Sequence, residues 1–231
     1  MPHDRSIRQV LYTIALLAAA LSVAACDVVV NSMHGGQVKA EQAWTRSYTL
    51  TGADARIDIV NTNGTITVEA TDGATVEVKA SITAHGATED AAKEALAKVE
   101  IREDAGVSSV RLEARYPKTF GRQGVTVNYT LKVPKSVKVD VATVNGGIHL
   151  TGVQASIKAE TTNGSIELKL PEAAKATVSA RCVNGGIAVN DLAFEKVGEG
   201  TKRKLDGKIN GGGAPVSLET VNGSIRVGRA S

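Results

Sequence analysis

Apolar and polar residues alternate along five stretches of the chain, and each stretch is interrupted at the same place by Asn-Gly. The stretches are Ile57–Val68, Val139–Leu150, Ile157–Leu168, Val178–Val189 and Val216–Val227. Six and four residues before the Asn stand Ile57/Ile59, Val139/Val141, Ile157/Ala159, Val178/Ala180 and Val216/Leu218. Two before it the residue is small: Asn61, Thr143, Thr161, Cys182 or Thr220. Three and five after it the apolar pairs return as Ile66/Val68, Ile148/Leu150, Ile166/Leu168, Ile187/Val189 and Ile225/Val227. Period-two alternation on both sides of a turn predicts two strands, each with one buried face.

The turn residues are Asn63-Gly64, Asn145-Gly146, Asn163-Gly164, Asn184-Gly185 and Asn222-Gly223. Both residue types tolerate positive φ, and the Asn amide is able to satisfy local backbone groups. A sixth Asn-Gly, at Asn210, lacks the flanking apolar pairs and reads as a shortened corner or loop. Spacings of 18 residues from Asn145 to Asn163 and 21 from Asn163 to Asn184 give a repeat of short period. Two architectures satisfy it. In a β-solenoid each Asn-Gly is a corner and like residues stack in ladders about 4.8 Å apart. In a β-meander each is a hairpin turn. The solenoid is the preferred expectation, because a flat meander leaves one apolar face uncovered while stacked coils enclose a core of small aliphatics.

Between the first and second stretches the pattern changes. Thr75–Ala84 alternates as a strand, and Val99–Arg102, Val110–Arg115 and Val125–Val133 read the same way. Thr88–Lys98 opens with a Thr cap and two acids and continues in Ala-rich helix formers, so it predicts a helix with Leu96 and Val99 inward. That helix is expected to plug one end or edge of the stack.

The N-terminus reads as an address. Arg5 and Arg8 precede Val10–Ala25, which is apolar and uncharged. It ends in Val23-Ala24-Ala25-Cys26, which resembles the bacterial lipobox. The resemblance implies cleavage between Ala25 and Cys26 and lipidation of Cys26, and two or three acyl chains hold a protein durably on a bilayer. Asp27 resembles the inner-membrane retention signal of diderm bacteria, which in a diderm cell implies the periplasmic face of that membrane. The expected organisation is a signal peptide over 1–25, a lipidated Cys and flexible tether over 26–43, and the solenoid domain over 44–231. One thiol, Cys182, is then left in the exported part, so no intrachain disulfide forms.

Charge and composition narrow the function. Lys plus Arg total 27 against 24 acids, a net charge of +3 that does not fit a nucleic-acid binder. Aromatics are 3% of the chain, which argues against a stacking platform for sugars or bases. The histidines, His3, His34, His85 and His149, have no ligand spacing with each other or with Cys, so neither a metal nor another cofactor is expected. Cys182 occupies a Thr position of the repeat and reads as an inward small residue. No Gly-x-Ser-x-Gly elbow is present, and outward carboxylates form no column along the sequence, so no catalytic residue is assigned. Two loops are candidate binding elements. Tyr116–Gly124 carries Phe120 and Arg122, and Asp191–Pro215 carries the basic run Lys202-Arg203-Lys204, suited to anionic lipid head groups.

The segment Leu50–Ala80 joins an Ile-x-Ile strand to Asn-x-x-Gly-Thr-Ile-x-Val, an Asp-Gly turn and Val-x-Val. With Val125–Val144 and the repeated Thr-x-Asn-Gly-[Gly/Ser]-Ile that follows, it resembles the bacterial adhesin-like family known as the toastrack domain, over Trp44 to Arg229. The resemblance implies an all-β, right-handed solenoid-like domain on exported or membrane-anchored proteins, often beside envelope-stress signalling systems, with no established catalytic residues. The expected function is therefore a lipid-anchored, non-enzymatic binding or scaffold module of the cell envelope, in stress sensing or adhesion. Its expected partners are the membrane, through the lipid, and an envelope protein, glycan or lipid. The alternative is a glycan-modifying enzyme on the same scaffold, which requires acids aligned on neighbouring coils.

Overall fold

The computed structural model describes residues 28–32, 38–116 and 124–230. Ala25 and Cys26 lie outside them, as do Phe120 and Arg122. In chain order the elements are β1 (Val28–Ser32), β2 (Val38–Tyr48), β3 (Arg56–Val60), β4 (Ile66–Thr71), β5 (Val76–Gly86), α1 (Glu89–Ala97), β6 (Glu100–Ala105), β7 (Ser109–Arg115), β8 (Val125–Pro134) and β9 (Lys138–Asn145). There follow β10 (Ile148–Thr151), β11 (Ile157–Asn163), β12 (Ile166–Leu170), β13 (Ala176–Asn184), β14 (Ile187–Val189), β15 (Phe194–Lys196), β16 (Lys204–Ile209), β17 (Ala214–Asn222) and β18 (Ile225–Arg229).

The described strands make two nine-stranded sheets. The first runs β1-β2-β5-β8-β4-β10-β12-β18-β14, and the second β15-β16-β13-β17-β11-β9-β3-β7-β6. Each of the five corner Asn-Gly pairs carries the chain from the second sheet to the first. The repeat strands pair in parallel in both sheets, β3 with β9, β9 with β11, β11 with β17 and β17 with β13 in one. In the other the parallel pairs are β4 with β10, β10 with β12, β12 with β18 and β18 with β14. Hairpins pair antiparallel, so this pattern excludes the meander and leaves a solenoid-like stack of five coils.

The coils do not stack in chain order. The last one in sequence, β17–β18, lies between β11–β12 and β13–β14. After β14 the chain forms the antiparallel strands β15 and β16 on the far edge of β13, then returns inside it. Every repeat offers the same residues to both of its neighbours, so strand pairing alone does not dictate the order. The long return connection does.

The core between the sheets is a thin aliphatic layer. Ile57, Ile66, Ile148, Leu168, Leu218, Ile225 and Val227 are among its fully buried members, and each contributes about 1.5–3 kcal/mol by burial. Tyr129 is the one aromatic ring fully enclosed in it among the described residues.

At the β8 end the first sheet runs four strands beyond β4, and the second only two beyond β3. Helix α1 packs on β5 and β2 over this overhang, burying Ala92, Ala95 and Leu96. Val99, just past its end, is only partly buried against the core. The helix begins as its sequence predicts: Thr88 Oγ1 accepts from the Ala91 N–H at 3.2 Å, and Glu89–Lys93 and Glu94–Lys98 pair one turn apart. The contact is close enough that a Cβ on Gly86 would stand 2.4 Å from the Ala92 nitrogen.

One sequence expectation needs correction here. The segment read as a flexible tether contains paired strands. Val28–Ser32 pairs antiparallel with Val38–Gln42, and Val38–Tyr48 pairs along its whole length with Val76–Gly86. The domain therefore includes Val38–Ala43. Its backbone is held by the β5 edge, which supplies the order that the weak side-chain pattern of the segment does not.

Candidate functional site

The Asn-Gly corners form a column along one side of the stack. In spatial order the asparagines are Asn63, Asn145, Asn163, Asn222 and Asn184. Each side-chain amide donates to the carbonyl of the one before: Asn145 to Asn63 at 2.7 Å, and Asn163 to Asn145, Asn222 to Asn163 and Asn184 to Asn222 at 2.8 Å. A second ladder lies just inside. The hydroxyls of Thr143, Thr161 and Thr220 donate to the carbonyl oxygens of Gly64, Gly146 and Gly164 at 3.2, 2.9 and 2.8 Å. A third is backbone: the N–H groups of Gly64, Gly146, Gly164 and Gly223 donate to the carbonyls of Asn145, Asn163, Asn222 and Asn184.

The glycines are required for a reason other than the one the sequence suggests. Of the five corner glycines only Gly64 and Gly185 have positive φ, and none of the corner asparagines does. Close approach is what excludes a side chain. A Cβ on Gly146, Gly164, Gly223 or Gly185 would stand within about 2 Å of the preceding glycine's carbonyl oxygen, at 2.1, 1.9, 1.9 and 1.8 Å. Away from the two ends of the column the ladders are self-contained: the interior amides, hydroxyls and corner N–H groups pair with the adjoining coils, which makes the column structural. Asn210 stands apart, with φ 50° and its amide donating to the carbonyls of Glu172 and Ala174 at 2.8 Å each.

The two ends of the column differ. At the first end Asn61 replaces the Thr, donating to Val127 O at 2.8 Å and accepting from the Tyr116 hydroxyl at 2.7 Å. Burial holds the Tyr116 phenol above its ordinary pKa. At the other end Cys182 takes the Thr position, buried and in register with Thr220, as its place in the repeat predicts. Its N–H donates to the Arg203 carbonyl at 2.9 Å, and Ile187 N–H donates to the Lys202 carbonyl at 3.1 Å. The basic run Lys202-Arg203-Lys204, read from sequence as part of a candidate binding loop, is thus stapled by its backbone as the next rung.

On the outer face beside the column, one residue before each Asn, lies a row that the sequence reading passed over. In spatial order it is Val183, Val221, Thr162, Val144 and Thr62. Val183, Val221 and Val144 are 55%, 40% and 41% exposed, although the alternation reserves this face for polar residues. All of the row but Thr62 lines a shallow groove of about 720 Å³, bordered by Arg181, Glu219 and Glu160 and closed at one end by Arg203 and Lys204. Arg181 and Lys204 both reach Asp206, at 3.6 and 3.7 Å. A hydrogen bond from the Ser179 hydroxyl, with these two cations, holds the Asp206 carboxyl below its usual range. The signal in the sequence was Val at an outward parity position in three repeats.

Two carboxylate pairs also form. Asp58 faces Asp140 across β3 and β9, and Glu160 faces Glu219 across β11 and β17. The second pair is invisible in chain order because the last coil is inserted. Cations accompany both, with Arg56 Nε 3.0 Å from Asp58 and Lys158 Nζ 2.8 Å from Glu160. Burial raises the Asp58 pKa against the opposing pull of Arg56. Among the described residues no group of three or more His, Cys, Asp and Glu converges as a metal would need.

No curated protein matches the chain. The solved structure of a candidate cell adhesion protein from Clostridium sporogenes is similar over 81% of this chain and 100% of its own, at 12% identity and a TM-score of 0.50. That of a candidate adhesin from Bacteroides fragilis aligns over 81% of this chain and 97% of its own, at 11% identity and a TM-score of 0.25. At such identities the first likeness speaks for the fold alone. The sequence pattern of the toastrack DUF4097 family matches residues 18–228, taking in all five coils, the overhang and the helix that covers it. By that match and by the parallel stack of corners, the chain belongs to the toastrack DUF4097 family.

Proposed function

We propose that this chain is a non-enzymatic scaffold of the bacterial envelope, held at a membrane by lipid on Cys26 and docking a partner protein along the valine row of its second sheet. The exposed row Val183, Val221 and Val144 carries this reading. It is apolar surface on a paired sheet, next to a column whose interior polar groups are already paired, and surface of that kind favours a protein partner over a small polar ligand. Arg203 and Lys204 at its end suit an acidic group on that partner. The lipobox-like Val23-Ala24-Ala25-Cys26 supports the anchor, and the similar solved structure described as a cell adhesion protein agrees with an envelope location. The role served is envelope-stress sensing or adhesion, and the identity of the captured partner separates the two.

The test uses the full chain in its native cells with a photo-crosslinking residue at Val221 and, in separate variants, at Val144 or Val183. A specific envelope protein should be captured, and Val183→Asp with Val144→Asp should abolish capture while the protein stays folded. Absence of any specific adduct from positions 144, 183 and 221 would sink the docking reading. Cys26→Ala should move the chain from the membrane to the soluble fraction, and unchanged sedimentation removes the anchor.

A second reading, a glycan-modifying enzyme, is favoured by one observation, the Glu160–Glu219 pair beside the groove. It requires that Glu160→Gln and Glu219→Gln each abolish turnover of an envelope glycan.

A further inference from the structure

Asn-Gly is the dipeptide in which an asparagine side chain is most open to attack by the backbone that follows it, because glycine has no side chain to obstruct the approach. The chain carries six of them, and the fold treats them unequally. Attack requires a Gly nitrogen able to lose its proton and an Asn carboxamide able to swing toward it. In four corners neither is free. The N–H groups of Gly64, Gly146, Gly164 and Gly223 each donate to the carbonyl of the adjoining coil. The carboxamide oxygens of Asn63, Asn145, Asn163 and Asn222 each accept from the next Asn of the ladder.

The fifth corner stands at the end of the column. Among the described residues nothing accepts from the Gly185 N–H, and nothing donates to the Asn184 carboxamide oxygen. A single hydrogen bond, to Asn222, holds the Asn184 side chain, and both Asn184 and Gly185 are exposed. Asn210-Gly211 is intermediate: the Gly211 N–H is unpaired among the described residues, but two hydrogen bonds pin the Asn210 amide.

We propose that Asn184 is a site of spontaneous covalent modification, a deamidation that loosens the terminal coil. The Gly185 nitrogen gives its proton to solvent base and bonds to Asn184 Cγ. The Cγ–Nδ2 bond breaks, and the nitrogen leaves as ammonia after taking a proton back from solvent. Water then opens the cyclic imide at either carbonyl to give aspartate or isoaspartate, with no change of oxidation state. Either product removes the donor to Asn222 and places a carboxylate beside its oxygen. Isoaspartate also lengthens the main chain by one methylene, which breaks the register of β14 on β18.

The full-length protein is incubated at pH 8–9, and conversion at each Asn is followed by peptide mass spectrometry, with a urea-unfolded sample as reference. Conversion at Asn184 should be at least about tenfold faster than at Asn145, Asn163 or Asn222, with Asn210 between, and all six should react at comparable rates once unfolded. Equal rates across the folded ladder overturn the proposal. So does an Asn184 that stays intact while the unfolded sample converts. Hydrogen exchange of the β14 amides should accelerate in the converted protein, and unchanged protection refutes the loosening.

Discussion

The coil at Asn163 and the coil at Asn184 share the same pattern of apolar positions around Asn-Gly and have different surroundings. The first has a coil on each side. Its glycine N–H, its asparagine amide and its threonine hydroxyl are all paired, and Ile166 and Leu168 are fully buried. The second has a full coil on one side and the stapled basic run on the other. Its Gly185 N–H is unpaired among the described residues, Cys182 replaces the threonine, and Ile187 and Val189 are only half-buried. A repeat motif therefore has no fixed energetic value. Its contribution depends on how many neighbours complete its ladders, as expected of a stack whose stability is a sum of nearest-neighbour interfaces.

Substitutions at matched positions test this difference. The largest effect is expected at the corner. Gly164→Ala puts a Cβ 1.9 Å from the Gly146 carbonyl oxygen and should cost more than about 3 kcal/mol or abolish folding. Gly186→Ala, with nothing within 4 Å, should stay within about 0.5 kcal/mol in urea titrations. Next comes the core. Leu168→Ala should cost about 2–5 kcal/mol and Val189→Ala less than about 1, and equal losses would show that the terminal coil is as well packed as the interior.

The threonine ladder gives a smaller difference. Thr161→Val removes the donor to the Gly146 carbonyl and should cost about 1–2 kcal/mol. Cys182→Thr restores the residue of the other repeats and should be neutral or stabilising by up to about 1 kcal/mol.

The smallest effect is electrostatic and lies at Asp58. Its folded pKa is raised, chiefly by burial, above that of a carboxylate in the unfolded chain. Whatever stability this group adds is present below that value and is lost as the pH rises through the folded pKa. Asp58→Asn should therefore stabilise the protein slightly at neutral pH and not at pH 3, a difference that thermal unfolding at the two pH values would register.

Strand parity, the two buried faces and helix α1 were legible in the sequence, because side-chain alternation and capping are local. Thr88 and Leu96 act as their positions predict. The alignment of Asn145 with Asn163 was legible as well, since both lie in consecutive repeats. The valine row was accessible but passed over: Val144, Val183 and Val221 break the polar rule by one residue per repeat, and their continuity emerges only when the coils are placed side by side. The Glu160–Glu219 pair was not accessible, because the two residues belong to repeats separated in sequence by another. The order of β1 and the first half of β2 was likewise hidden, since backbone pairing with a distant edge leaves no periodic trace in side chains.

The amino-acid sequence thus decided which residues turn, which face inward and that like corners pile on like, since these follow from the stereochemistry of a few adjacent residues. The tertiary structure alone decided that the last coil enters between two earlier ones, and with it which corner is left at the end of the column. Repeats that pair equally well with one another carry no instruction about their order. That order comes from the path of the long connection and from what the completed stack covers.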